Sequence, residues 1–265
     1  MSPSLELREN REFASEIKFL VPQHVGAQIL EWARGRMSPD PHATGGMNDA
    51  YQITSLYFDT EQFDVFAQNG SFGRTKYRIR RYGPSAIAFL ERKLKTRGLV
   101  TKRRAAVEID ELRRLTEPEV EPGWPGFWFH QRLIARRLRP VCQIGYQRTA
   151  RVSMTAYGVI RLTLDHDIEA RPIQALAFDD LTSPTPMLAE QVIVEMKFRV
   201  DMPAAFKEVV ERFALNAKKI SKYRLAAVAL GFVPEPAAEP VQPVQAVPEE
   251  PAPTAPPKTS VCLTS

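Results

Sequence analysis

The sequence predicts an α+β fold in which eight antiparallel strands close into a barrel and helices pack against its outside. Two observations predict it. Eight segments alternate polar and apolar side chains with the two-residue period of an extended chain. Between and after them lie segments whose apolar residues recur at helical spacing. A sheet of that many strands often closes on itself, and the helices supply cover for its apolar face.

The strands are expected at Ser15–Val21, Tyr51–Phe58, Thr75–Tyr82, Ala86–Lys95, Lys102–Asp110, Val141–Ser153, Val159–Ala170 and Glu190–Val200. Pro22–Arg36 sets Val25, Ile29 and Trp32 on one side behind a starting proline, which favours a helix. Phe127–Leu138 has Leu133, Ile134 and Leu138 as its apolar side. Pro203–Phe213 and Asn216–Leu230 read as a C-terminal helical pair, and no segment repeats another.

The polar faces of these strands are unusually charged. Arg78 and Arg80 share a face, with Lys76 beside them; Glu91, Lys93 and Lys95 share another. Tyr146 lies with Arg148, and Arg161 with Thr163 and Asp165. Glu195, Lys197 and Arg199 oppose Val194, Met196 and Phe198. Alternation leaves two directions open. The charged faces meet solvent, as on any antiparallel sheet with one wet side, or they point into a wide barrel while apolar faces pack under helices. The mixture of Arg, Lys and Glu with Tyr and Thr suits a coordinating site better than a solubilising surface.

Composition separates a tail from the rest. From Val233 to Ser265 Pro, Ala, Val and Glu dominate, too little apolar mass to offset ordering entropy, so 233–265 is expected to be disordered. The chain has 36 Lys and Arg against 31 Asp and Glu. The tail holds Glu235, Glu239, Glu249, Glu250 and Lys258, which leaves 35 basic and 27 acidic residues elsewhere, a net +8. Such an excess suits a polyanionic partner. Stacking platforms of aromatic and basic residues are not evident, so no specific nucleic acid is expected. Residues 1–11 are polar and expected to be flexible, with no signal peptide. No apolar run approaches the ~18 residues of a transmembrane helix. Cys142 and Cys262 make neither a disulfide framework nor a metal cluster, and a cytoplasmic location is expected.

Nine segments then resemble one family in the same order. They are EIKFLV at Glu16–Val21, TSLYFDT at Thr54–Thr60, YRIRRYG at Tyr77–Gly83, LERKLK at Leu90–Lys95 and VTKRR at Val100–Arg104. YQRTA at Tyr146–Ala150, VIRLTLDHDI at Val159–Ile168, VEMKF at Val194–Phe198 and ISKY at Ile220–Tyr223 follow. From residue 12 to 232 the chain resembles the VTC domain, the polyphosphate-polymerase module of the vacuolar transporter chaperone complex, within the triphosphate tunnel metalloenzymes. The resemblance implies a tunnel of antiparallel strands threaded by a phosphate chain. Its catalytic wall would be Arg78, Arg80, Lys93, Arg148, Arg161 and Lys222. Lys18, Lys102, Tyr146, Lys197, Lys219 and Ser221 would add contacts to phosphate oxygens. Glu195 would hold a divalent ion, Mg²⁺ or Mn²⁺, with Glu16 and Glu91 as supplementary ligands. The triphosphatase branch often carries Glu-x-Glu-x-Lys on its first strand; here Ala14 replaces the first carboxylate.

The implied activity is transfer of the γ-phosphate of ATP to a growing inorganic polyphosphate chain. No Ser-His-Asp or Cys-His arrangement suggests an enzymic nucleophile, and His166, on the face opposite Arg161 and Asp165, reads as structural or external. Asp165 and Asp167 read as strand-end or turn carboxylates. The rivals are a tunnel triphosphatase, which shares the basic wall, and a non-catalytic polyanion binder. The tail could tether a partner protein, and membrane association would come only through such a partner.

Overall fold

The computed structural model describes residues 15–40, 49–96, 99–178 and 183–234. The N-terminal residues 1–11 and the tail from residue 235 lie outside the described residues. The chain runs β1 (Ser15–Pro22), α1 (Gln23–Arg34), β2 (Ser38–Pro39), β3 (Ala50–Asp59), α2 (Asp64–Ala67) and β4 (Arg74–Tyr82). It continues with β5 (Ile87–Thr96), β6 (Leu99–Glu108), α3 (Phe127–Ala135), β7 (Arg139–Thr155) and β8 (Gly158–Pro172). β9 (Thr185–Met187), β10 (Gln191–Phe198), α4 (Ala204–Arg212) and α5 (Lys222–Ala229) complete it.

All pairings are antiparallel, in the order β1-β10-β8-β7-β3-β4-β5-β6, with β2 paired to β7 and β9 to β8. The eight expected strands are the eight of this path. β2 and β9 were not expected; at two and three residues they are too short for a period of two to show. Among the described residues β1 and β6 share no backbone ladder, so the sheet is curled rather than seamlessly closed. The curl is tight nonetheless. Glu16 on β1 meets Lys93 on β5 at 2.7 Å, although five strands separate β1 and β5 in the order.

The curl sorts the two faces. Outward apolar side chains form two cores. Phe19, Leu162, Leu164, Val194 and Met196 pack under α1 and α4 through Ile29, Trp32, Phe206 and Val209. Ile79, Leu90, Phe58 and Ile144 belong to a second core with Phe129 of α3 and Tyr223 of α5. Burying each such side chain contributes about 1.5–3 kcal/mol. Trp32 of α1 donates to Glu208 of α4 at 2.8 Å, tying the first pair of helices together. Gly26 lets α1 approach β10, because a Cβ there would stand 3.1 Å from Val192.

The C-terminal helical pair needs one correction. α5 starts at Lys222, six residues later than the expected Asn216. Residues before it lie against β1: the Lys218 amide donates to the Lys18 carbonyl at 2.8 Å, and Ala217 bridges Phe19. Ser221 then caps the helix by accepting from the Arg224 amide at 3.3 Å. Sheet pairing therefore wins over helical propensity across this stretch. Among the described residues no helix is long and apolar enough to cross a membrane.

Candidate functional site

The inward faces carry the charged residues, which decides between the two directions that alternation left open. Side chains at every second position of β1, β4, β5, β6, β7, β8 and β10 meet one another across the curl. Three carboxylate centres organise them.

The first joins Glu16 and Glu195. Lys18 Nζ bridges them, 3.1 Å from Glu16 Oε1 and 3.3 Å from Glu195 Oε2. Lys197 adds a contact of 3.0 Å to Glu195, and Lys93 one of 2.7 Å to Glu16. Burial and the neighbouring Glu195 push the Glu16 carboxyl up, but Lys18, Lys93 and Lys197 together outweigh them and hold it at about 2. Glu195 is likewise held well below the usual carboxylate range: burial opposes ionisation, and Lys197, Lys18, Arg148 and Lys222 prevail.

The second is Glu91, only 2% exposed, which accepts from Arg78 Nε at 2.7 Å and meets Lys102 at 2.9 Å and Arg104 at 3.2 Å. The third is Asp165, fully buried. Arg148 grips it with both arms of its fork, at 2.6 and 2.7 Å, and Lys222 reaches it from α5 at 2.5 Å. Asp165 is thus no turn carboxylate but the anchor of two basic residues, held well below its ordinary range by Arg148 and Lys222 against burial. His166 stays outside, as expected, beside Asp167.

Arg161 bonds the Tyr51 hydroxyl at 3.0 Å and Asp40 at 2.9 Å. Arg80, buried, donates to Ser55 Oγ at 3.2 Å and to the Tyr146 hydroxyl at 3.0 Å. Lys76 donates to Ser221 Oγ at 2.8 Å. The structure therefore brings together Lys18, Arg78, Arg80, Lys93, Lys102, Tyr146, Arg148, Arg161, Glu195, Lys197, Ser221 and Lys222. Lys219 is different: it is exposed, and takes no place among the buried ion pairs.

Lys76, Arg104, Tyr51, Tyr57 and Asp165 also line this interior. Lys76, Arg104 and Asp165 had a visible signal, since each sits two or four residues along a strand from an expected member; Tyr51 and Tyr57 had none, because no expected member lies on β3. Tyr57 accepts from Arg78 at 3.3 Å and stacks on Tyr223 with ring centres 5.5 Å apart. The Tyr223 hydroxyl bonds Asp59, which also accepts the amides of Thr60, Val65 and Phe66. That clamp fixes α5, and with it Lys222 and Ser221, against β3.

Among the described residues no three of His, Cys, Asp or Glu converge into a metal cage. Glu91 meets Arg78, Lys102 and Arg104, whereas Glu16 and Glu195 share Lys18 and Lys197. Thr163, opposite Glu195 in the β8–β10 register, has a buried Oγ1 with no partner. Two carboxylates and a spare hydroxyl fit an ion that takes one or two protein carboxylates and completes its shell with phosphate and water.

Comparison with known proteins agrees with this geometry. Residues 13–230 match the family model "VTC domain". No curated protein sequence matches the chain. Among solved structures, a putative adenylate cyclase from Bacillus halodurans superposes with a TM-score of 0.50 at 14% identity, over 79% of this chain and 94% of that one. A putative adenylyl cyclase from Hippeastrum, whose description reports a dominant triphosphatase activity, gives a TM-score of 0.45 at 16% identity over 81% and 95%. The fold is the curled antiparallel sheet of the triphosphate tunnel proteins, and the chain belongs to the VTC domain family.

Proposed function

We propose that the chain threads inorganic polyphosphate through this basic interior and lengthens it with the γ-phosphate of ATP. One observation carries the reading: among the described residues, cations from seven strands and α5 converge on one lumen in which carboxylates are fewer than half as many. A buried ion lattice is a poor device for stability, because desolvation offsets most of its Coulombic gain. It is a good device for holding a polyanion.

Phosphoryl transfer needs positioning and charge neutralisation more than covalent chemistry. The arginine forks of Arg78, Arg80 and Arg148 match phosphate oxygens in pairs, while Lys93 and Lys222 act as movable point charges. Before substrate enters, Glu91 holds the Arg78 fork and Asp165 that of Arg148, while Ser55 and Tyr146 hold Arg80. In the transfer a terminal oxygen of the acceptor chain attacks the γ-phosphorus, the bond from that phosphorus to the β–γ bridging oxygen breaks, and ADP leaves. The chain gains one phosphate and no protein nucleophile is needed. Glu195 and Glu16 would hold the Mg²⁺ or Mn²⁺, whose charge offsets that of the phosphates when bound. Arg80 and Tyr146 would orient the phosphates beside them.

Incubation with ATP and Mn²⁺, followed by gel analysis, tests this. Long polyphosphate is the expected product. Orthophosphate alone would assign the tunnel to triphosphate hydrolysis instead.

A further inference from the structure

Most described cations inside the curl face a carboxylate. Lys76 and Arg80 do not. Arg80 is accounted for by Ser55 and Tyr146. Among the described residues Lys76 has one hydrogen-bond partner, Ser221 Oγ, and its setting is mostly positive. Lys18 comes from β1, its Nζ also 3.4 Å from the Ile220 carbonyl. Lys93 lies opposite in the β4–β5 register, and Arg78 is two residues along β4. Glu16 is the opposing charge. The N-terminal pole of α5 adds to the positive field.

Ser221 points the same way. Its Oγ accepts from Lys76 at 2.8 Å and from the Arg224 amide at 3.3 Å. Both lone pairs are then in use, which leaves its own proton to be donated. An amine and a hydroxyl, both donors, stand side by side, and among the described residues neither is ion-paired to a carboxylate.

We propose that Lys76 and Ser221 form a seat for one phosphate of the bound chain, and that the amine takes a proton from solvent as the phosphate arrives. The inference rests on the phosphate-binding reading above. Burial first, then Lys18, Lys93 and Arg78, push Lys76 down to about 7, with Glu16 opposing. Near neutral pH much of it is therefore the free amine. An incoming phosphate brings the negative charge that the site lacks, and the lysine lone pair binds a proton without any bond to phosphorus breaking. Lys76 stands four residues from Arg80 on the same face of β4, about 13 Å along the strand. A chain of several phosphates spans the two.

Calorimetric titration of the full chain with inorganic tripolyphosphate, metal-free at pH 7.5 in buffers of different ionisation enthalpy, tests it. The expected result is uptake of part of a proton per tripolyphosphate. Lys76→Met should abolish the uptake and weaken binding about tenfold, the loss of one charge-assisted hydrogen bond. Lys76→Arg, charged throughout, should rescue affinity without uptake. Unchanged uptake in either variant, or binding by the unsubstituted chain with no uptake at all, overturns the proposal while leaving the polymerase reading to its product gel. Failure of the unsubstituted chain to bind tripolyphosphate overturns both.

Discussion

Around Glu16 and Glu195 the contacting cations are lysines, Lys18, Lys93 and Lys197, whereas arginines lead around Glu91 and Asp165, through Arg78, Arg104 and Arg148. The two regions hold charge in different ways. A guanidinium stays protonated and presents a planar fork, so Arg148 on Asp165 is fixed in direction as well as in sign. An ammonium is a compact charge on a flexible stem, and burial can strip its proton, as the setting of Lys76 illustrates. The arginine side fixes direction; on the proposed reading the lysine side exchanges a carboxylate for a phosphate. Glu16 and Glu195, the pair suited to a divalent ion, stand on the adaptable side.

The largest effect should come from the arginine side. Asp165→Ala strands Arg148 and Lys222 without their shared anion, which should cost about 3–5 kcal/mol. By calorimetric melting that is a drop of roughly 10 °C, at ~2–4 °C per kcal/mol. A loss below ~1 kcal/mol would mean that the two cations find other anions readily and that the side is not rigid. On the lysine side, Glu195→Gln should lower ATP turnover about 100-fold, equivalent to ~2.7 kcal/mol, while affinity for polyphosphate holds or rises. Normal turnover in that variant would remove Glu195 from the metal pair. The smallest effect is on acid stability. The folded-state value of Glu16, about 2, lies below its ordinary 4.5. Its contribution is therefore complete above about pH 4.5 and is lost as pH falls through about 2. The melting temperature of the unsubstituted chain should fall more steeply over that window than that of Glu16→Gln; parallel slopes would show that the lysines do not hold this carboxylate.

Which strands exist was legible because period-two alternation is local. Arg78 and Arg80 lie one pleat apart, and a strand cannot hide that. The direction of their face was not legible, since a wet surface and a lumen impose the same local period. Contacts such as Lys93 with Glu16, 77 residues apart, settle it, and no window along the chain contains them. The motif resemblance supplied most site positions, and it led to Lys219, which stands exposed. Arg104 and Asp165 lay inside matched segments without a role of their own, and Lys76 stood one residue outside one. Asp165 read as a turn residue because its partners, Arg148 on β7 and Lys222 on α5, are brought to it only by the fold. The late start of α5 was hidden for a related reason: the amide of Lys218 is claimed by β1, whose sequence lies about 200 residues away.

That last pairing bears on the order in which the molecule can be built. Residues 217–222 cover β1 and carry Lys222 to Asp165, Ser221 to Lys76 and Ile220 to Lys18. Until they emerge from the ribosome, the lumen is a set of buried-to-be charges with its last wall absent. Contacts this distant in sequence slow folding, since loop closure must precede any reward. The nascent chain must therefore keep a strongly charged concavity hydrated until the end of the domain arrives, and docking of α5 is the step that seals it.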